Sequence, residues 1–153
     1  MDKYKKILEE IPAILSSNED LDICFDNILN LLNGVVSFES AYICYLNAGS
    51  ADLRYRATTE SADIFDSKTS FFEVTDEIKP LLYSTDTILF DSKHKIAKYF
   101  DIKLKKNFLL SKLLINDTVF GFIILVRDFP FSAGDAEISK IFCSFASYSI
   151  KDS

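Results

Sequence analysis

Residues 110–125 read LSKLLINDTVFGFIIL, and this stretch decides the fold class. Two apolar runs, Phe108 to Ile115 and Thr118 to Arg127, flank the pair Asn116-Asp117, which is typical of a tight turn. The pattern predicts an antiparallel β-hairpin. Because both strands are apolar on both faces, we expect this part of the sheet to be covered on both sides.

Outside this hairpin, apolar periodicity predicts helices at the two ends of the chain. The first helix is predicted from an apolar face with helical spacing and should kink or end at Pro12: Tyr4, Ile7, Leu8, Ile11, Ile14 and Leu15. Ser17-x-x-Asp20 resembles a capping box before a second helix, which Gly34 would end. The apolar face of that second helix is Leu21, Cys24, Phe25, Ile28, Leu32 and Val35.

A second capping box, Ser132-x-x-Asp135, predicts the start of the last helix. Its apolar stripe is Ile138, Ile141, Phe142, Phe145 and Ser149.

The middle of the chain alternates between strand and short-helix signals. Strands are predicted over Ser40 to Leu46 and Leu53 to Thr59, around the turn residues 47–50. Residues 60–74 are polar and irregular, apart from the pair Phe71-Phe72. Beyond them the sequence predicts a helix capped by residues 75–77 and ending at Tyr83, with Pro80 in its first turn. A short strand over 87–90 and a short helix over 92–100 follow.

In this order of elements, five segments resemble the GAF family, over about residues 18–150. They are Leu21–Leu29 (the entry helix), Ala41–Leu46 (the first strand), Ile78–Phe90 (the mid-domain helix and next strand), Leu110–Leu125 (the signature hairpin, with Gly121 at the family's glycine) and Phe131–Ile138 (the F-S-x-x-D entry to the last helix). Two positions depart from the family pattern. Residues 68–74 lack the glycine that often precedes the mid-domain helix, and Lys112 stands where a proline is frequent.

The resemblance implies an α/β fold of the α+β type, with a central antiparallel sheet of five or six strands. Terminal helices would cover one face and commonly pair with a second copy. Short helices and loops would roof a pocket on the other face. We therefore expect one GAF-like domain over 1–153, with a core over 18–150 and a helix over 1–16 available for dimerisation.

Two sets of candidate residues follow from this arrangement. The pocket candidates are Tyr42, Cys44, Phe71, Phe72, Phe90, Phe108, Leu110 and Phe122. The dimer-helix candidates are Ile7, Ile11, Ile14, Ile138, Phe142 and Phe145. The chain contains 14 phenylalanines, so the aromatic candidates either line an open pocket or fill it.

Composition limits the classes of partner. The net charge of −6 disfavours nucleic-acid binding. The longest apolar run, Val119 to Val126, is too short to span a membrane, and the N-terminal residues do not resemble a signal peptide. The three cysteines, Cys24, Cys44 and Cys143, are widely spaced and read as buried free thiols in a reducing cytoplasm. We therefore predict a cytoplasmic domain without a membrane or nucleic-acid partner.

The chemistry-bearing residues do not form a recognised catalytic or metal motif. His94 is flanked by lysines with no adjacent cysteine, which argues against haem or bilin and favours an exposed histidine. The lysines between Lys93 and Lys106 are either an anion-attracting rim or a solvated face. Arg54, Arg56 and Arg127 are the only arginines. Arg54 and Arg56 share a face of the second predicted strand, where surface pairing with nearby acids is favoured over a carboxylate or phosphate clamp. No zinc spacing is present among the cysteines.

Three functions remain open. The favoured one is a non-catalytic small-molecule sensor and dimerisation domain that regulates an output domain of a signalling protein, such as a histidine kinase, a cyclic-dinucleotide enzyme or a transcription regulator. The second is a dimerisation scaffold with a filled pocket. The third is an enzyme of the free-methionine-sulfoxide reductase type, which the absence of cysteine between residues 60 and 107 disfavours. The ligand remains unknown.

Overall fold

The computed structural model describes residues 21–47, 49–58, 71–100 and 106–152. The helices are α1 (Leu21–Asn33), α2 (Lys79–Tyr83), a 3₁₀ helix (Lys95–Phe100) and α3 (Ala133–Asp152). The strands are β1 (Ser40–Asn47), β2 (Ser50–Thr58), β3 (Phe71–Glu73), β4 (Ile88–Asp91), β5 (Asn107–Ile115) and β6 (Thr118–Arg127). The predicted N-terminal helix and the first capping box lie outside the described residues.

The six strands form one antiparallel sheet in the order β3-β2-β1-β6-β5-β4. Both predicted hairpins are confirmed, and their inner strands β1 and β6 join at the centre, where Ser40 pairs with Val126. α1 and α3 pack on one face, and α2 and the 3₁₀ helix pack on the other. The predicted α+β architecture is therefore confirmed, with six strands.

The β5–β6 hairpin turns at Asn116 and Asp117, as the sequence predicted. Both residues have positive φ angles, 50° and 65°, which a two-residue hairpin turn of this hand requires. Asn and Asp tolerate this left-handed region better than other non-glycine residues. The pair therefore fixes the register of the two longest strands.

Gly121 lies where two strands approach each other closely. It pairs with Tyr45 on one side and Leu113 on the other, next to irregularities in register at Ile43/Cys44 and Leu113/Leu114. A Cβ atom at this position would collide with the backbone carbonyl of Cys44. The glycine of the predicted hairpin is therefore a packing requirement of the sheet.

The face covered by α1 and α3, the helix side, holds one of the two apolar cores. Phe25, Ile28 and Leu32 of α1 are buried, as predicted, and α1 ends at Asn33, one residue before Gly34. The capping box of α3 is also confirmed. The backbone N–H of Asp135 donates to the Ser132 Oγ at 3.0 Å, and that of Ser132 donates to the Asp135 Oδ2 at 2.9 Å.

The stripe of α3 that faces the sheet differs from the predicted one. Ser139, Cys143 and Ser147 are buried at four-residue intervals alongside Phe142, whereas Phe145 is 56% exposed. The Ser147 hydroxyl accepts a hydrogen bond from the backbone N–H of Leu114 at 3.0 Å, at the irregularity in β5. Small side chains let the helix approach the strand closely enough for this contact. The helix is therefore oriented with its small residues toward the sheet, and Phe145 faces away from it.

Candidate functional site

The face of the sheet opposite α1 and α3, here called the roof side, brings together six of the eight pocket candidates. Each is at most 7% exposed, and all belong to one apolar cluster. They are Tyr42 and Cys44 on β1, Phe90 on β4, Phe108 and Leu110 on β5, and Phe122 on β6. Strand alternation explains the grouping, because residues two apart share one face.

The other two pocket candidates, Phe71 and Phe72, lie on the edge strand β3. Their backbones pair with Asp52 and Ala51 of β2, and their side chains lie outside the described part of the structure. The prediction that they line a pocket therefore stays a prediction.

The roof consists of α2, the loop after it and the 3₁₀ helix. α2 contributes Leu82 and the preceding Ile78, and the 3₁₀ helix contributes Ile96 and Ala97. Pro80 lies in the first turn of α2, as predicted, where its missing N–H costs no hydrogen bond. These apolar side chains fix the roof over the candidate residues of the sheet.

His94 lies directly before the 3₁₀ helix of the roof and is half-buried, contrary to the prediction of an exposed histidine. Its ring lies 5.6 Å from that of Phe90, which itself stacks on Phe108 at 5.0 Å. Its Nδ1 accepts a hydrogen bond from the backbone N–H of Ile96 at 3.1 Å. The imidazole therefore satisfies a backbone donor at the start of the 3₁₀ helix, a capping role that residue type alone does not reveal.

Lys112 is a buried charged group on the roof side, only 3% exposed. Its Nζ donates to the carbonyl oxygens of Leu81 at 2.7 Å, Ser84 at 2.8 Å and Asp86 at 3.0 Å. Burial lowers the pKa of this lysine from 10.5 to about 8, and the negative charge of Asp86 opposes that shift. The sequence marked Lys112 only as a departure from the family pattern.

Two of the cysteines are buried on opposite faces of the sheet. Burial raises the pKa of Cys44 to about 12, with a further contribution from the charge of Asp52, and burial raises the pKa of Cys143 to about 12. Both thiols therefore stay protonated at neutral pH and are poor nucleophiles. The side chain of Cys24 lies outside the described residues.

This architecture matches solved structures of one fold family. A GAF domain from a cyanobacterial phytochrome, solved with bound phycoerythrobilin, has a TM-score of 0.75 at 11% identity, covering 98% of this chain and 95% of its own. The GAF domain/HD domain protein of Geobacter sulfurreducens has a TM-score of 0.71 at 16% identity, with coverages of 90% and 96%. The nlh2 GAF domain of A. aeolicus has a TM-score of 0.68 at 14% identity, with coverages of 97% and 96%.

The chain has the GAF fold. No protein-family model matches its sequence, and no curated protein matches it either. The likeness to these solved structures therefore concerns the fold alone.

A cleft of about 200 Å³ opens at one end of the GAF sheet. Its lining includes Phe90 and Phe108 from the roof side, Phe131 from the helix side, and Asp91 and Asn107. It is smaller than the ~300–1,000 Å³ of typical small-molecule pockets. Because its walls come from both cores, it lies at the end of the sheet and not under the roof.

Arg127 has a structural role in this GAF fold that the sequence did not reveal. It is 5% exposed, and its guanidinium lies between the rings of Phe129 and Phe131, at 4.0 and 3.9 Å from their centroids. It donates to the carbonyl oxygens of Ser37, Phe129 and Pro130 and to the Asp135 carboxylate at 2.8 Å. Arg127 is therefore a buried structural residue, whereas the side chains of Arg54 and Arg56, for which surface pairing was predicted, lie outside the described residues.

The lysines between Lys93 and Lys106, which the sequence suggested as a basic rim, have different environments in the structure. Lys93 and Lys95 are exposed, but Lys106 is 9% exposed and bridges two carboxylates, Glu39 at 2.7 Å and Asp128 at 2.6 Å. The ion pairs of Lys106 therefore connect the start of β5 to the residues that flank β1 and β6.

Within residues 21–47, 49–58, 71–100 and 106–152, no cluster of His, Cys, Asp or Glu side chains is arranged to hold a metal ion. None of the helices in that part of the chain is long and apolar enough to cross a membrane.

Proposed function

We propose that this chain is a non-catalytic small-molecule sensor and dimerisation domain of a signalling protein in the cytoplasm. The observation that carries the proposal is a GAF fold whose apolar sheet face, with Tyr42, Phe108 and Phe122, lies under a roof of short helices. The structures of similar fold include a phytochrome domain and a GAF domain/HD domain protein, which supports a regulatory role. The output domain would be that of a histidine kinase, a cyclic-dinucleotide enzyme or a transcription regulator.

A ligand would act by favouring one arrangement of the roof. The strands carry such a change across the sheet, because Leu110 packs on the roof side while its neighbours Leu109 and Ser111 are also buried. A shift of β5 therefore reaches α3, whose Ser147 bonds to the backbone of Leu114. The response requires that the ligand bind the two arrangements with different affinities.

The buried thiols support a binding role over a redox one. A reductase of the free-methionine-sulfoxide type needs accessible thiolates, and the raised pKa values of Cys44 and Cys143 oppose their formation. The test is the triple variant C24S/C44S/C143S in a methionine-sulfoxide turnover assay. A wild-type turnover that the triple variant loses would establish the enzyme and end the proposal.

Native mass spectrometry of the chain purified from its own host, compared with the same sample after denaturation, tests the sensor function. A reproducible extra mass that is lost on denaturation is the expected result, and its value gives the ligand class. A bare mass that stays unchanged after incubation with a host metabolite extract would contradict a small-molecule sensor.

A dimerisation scaffold with a filled pocket is the second candidate, and two observations favour it. The roof side is tightly packed, with Phe90 stacked on Phe108, and Phe145 is exposed on the outer face of α3. An exposed aromatic ring on a terminal helix suits contact with a second copy. In sedimentation velocity at micromolar concentration, a monomer would exclude the scaffold and would also remove dimerisation from the first proposal, whose sensor function is tested separately by the mass measurement.

A further inference from the structure

Lys112 occupies a position that strand alternation assigns to the apolar roof side. It follows Leu110 by two residues on β5, and its backbone pairs with Phe122 of β6. Its side chain runs from β5 to the roof, where its Nζ contacts carbonyl groups of residues 81–86. The ammonium group is thus buried where the sequence pattern calls for an apolar residue.

The three carbonyl groups that bind the ammonium belong to one short segment, residues 81–86, at the end of α2 and in the loop after it. α2 has no basic residue in its own last turn, and the chain leaves the helix at Ser84 in an extended conformation. Helix-end carbonyls need donors, and Lys112 supplies them from a strand about 30 residues away in sequence.

The hydrogen bonds of Lys112 are directed at the backbone of this segment. An ammonium has three hydrogens, and three carbonyl oxygens lie within 3.0 Å of the Nζ. In the described part of the chain, no carboxylate lies within ion-pair distance of the Nζ, and Asp86 acts on it only through its more distant charge. The lysine therefore serves to connect the sheet to the roof.

We propose that Lys112 is a latch, a positioning residue that holds the 81–86 segment closed against the roof side of the sheet. The latch operates in the ligand-free chain, so it stands whether or not the pocket binds a ligand. If the sensor function holds, this latch sets the closed arrangement from which a ligand would release the roof.

The same burial makes the latch releasable. A lysine with a lowered pKa is one whose charged form loses more hydration than its contacts restore. Opening of the roof would return water to the ammonium and to the three carbonyl groups together.

Hydrogen exchange of the ligand-free full chain, read by mass spectrometry, tests the latch. Lys112→Met keeps the length of the side chain and removes the donors, and Lys95→Met is the matched control, because it removes an exposed lysine from the same roof. We expect K112M to accelerate exchange of the amides between residues 78 and 97 by about tenfold or more. Amides of the helix side, such as those of Val36 and Leu114, should change much less, and K95M should change neither group.

Unchanged exchange in the roof of K112M would overturn the proposal. So would a uniform acceleration across the chain, since that would show a general loss of stability. If K112M fails to fold, competitive acetylation of the wild-type lysines decides the question. Under the latch, Lys112 reacts at least about tenfold more slowly than the exposed Lys93 and Lys95, because reaction requires the roof to open. Equal reactivity of the three lysines would overturn the proposal.

Discussion

Gly121 of β6 lies so close to the backbone carbonyl of Cys44 on β1 that a Cβ atom cannot fit between them. Gly121 pairs with Tyr45 of β1 on one side and with Leu113 of β5 on the other, so β6 cannot move away from one strand without disturbing its pairing with the other. We expect Gly121→Ala to lower the free energy of unfolding by ~1–3 kcal/mol, the usual cost of overpacking a core. Urea denaturation followed by circular dichroism measures it.

Gly134→Ala is the control for that substitution. A Cβ atom there would meet only the Ser132 Oγ, at 3.6 Å, and alanine is a better helix former than glycine. G134A should therefore leave stability unchanged or raise it slightly. Equal losses in the two variants would show that the close approach of β1 and β6 does not determine the cost.

Arg127→Lys should destabilise the domain by ~2–3 kcal/mol, because lysine cannot reproduce the planar set of donors that reaches Ser37, Pro130 and Asp135. The cation–π contacts with Phe129 and Phe131 would weaken as well. Thermal and urea unfolding measure the loss. Lys140→Ala, at an exposed position on α3, is the control. If R127K were as stable as K140A, the contacts of Arg127 would not stabilise the domain.

The Asp135 carboxylate gives the domain an acid-sensitive contact. Burial alone would raise the pKa of Asp135, but the Ser132 backbone N–H and the Arg127 guanidinium lower it below the ordinary value of 3.8. Its contribution to stability is therefore complete above pH 3.8 and is lost as the pH falls through the lowered pKa. We expect the stability difference between wild type and Asp135→Asn to shrink in that range. A difference that is constant from pH 6 to pH 2 would contradict the lowered pKa.

Lys112 gives a second pH dependence of stability, at alkaline pH. Its pKa is about 8 in the folded chain and 10.5 in the unfolded chain, so the unfolded chain binds more protons between these values. The stability of the wild type relative to Lys112→Met should therefore rise with pH from about 8 to 10.5. Urea midpoints at intervals of half a pH unit would show it, and a flat or falling difference would show that burial does not lower this pKa.

Phe142 and Phe145 should respond differently to substitution, although both were dimer-helix candidates. Phe142 is fully buried in the protomer, so Phe142→Ala should cost ~3–5 kcal/mol of stability. Phe145 is 56% exposed, so Phe145→Glu should leave the stability of the protomer within about 0.5 kcal/mol of wild type. In sedimentation velocity we expect a wild-type dimer and an F145E monomer. If F145E were still a dimer, the Phe145 ring would not be part of the dimer interface.

Local patterns were sufficient to predict most of the fold. The turn at Asn116-Asp117, the capping box at Ser132 and Asp135 and the position of Pro80 are all confirmed. Alternation along the strands also placed six pocket candidates on one face. These features depend on residues only a few positions apart, which is the range over which periodicity and capping operate.

The features that the sequence did not predict depend on contacts between distant parts of the chain. The partners of Lys112 are backbone carbonyl groups about 30 residues away, and those of Arg127 include Ser37, 90 residues away. Backbone acceptors carry no sequence signal, so neither lysine nor arginine could be assigned from its neighbours. On α3 the hydrophobic stripe indicated Phe145, whereas the sheet packs against Ser139, Cys143 and Ser147, because a close helix–strand contact requires small residues.

The order of strands also constrains how the chain assembles. Each hairpin pairs neighbours in sequence, but β1 and β6 meet across roughly 80 residues, from Ser40 opposite Val126 to Tyr45 opposite Gly121. During synthesis β1 and β2 emerge long before β6, so β1 keeps an unpaired apolar edge until the last hairpin has left the ribosome. Because non-local pairing slows folding, we expect the closing of that long loop to be a slow step. A chain interrupted before β6 would present that edge to other proteins.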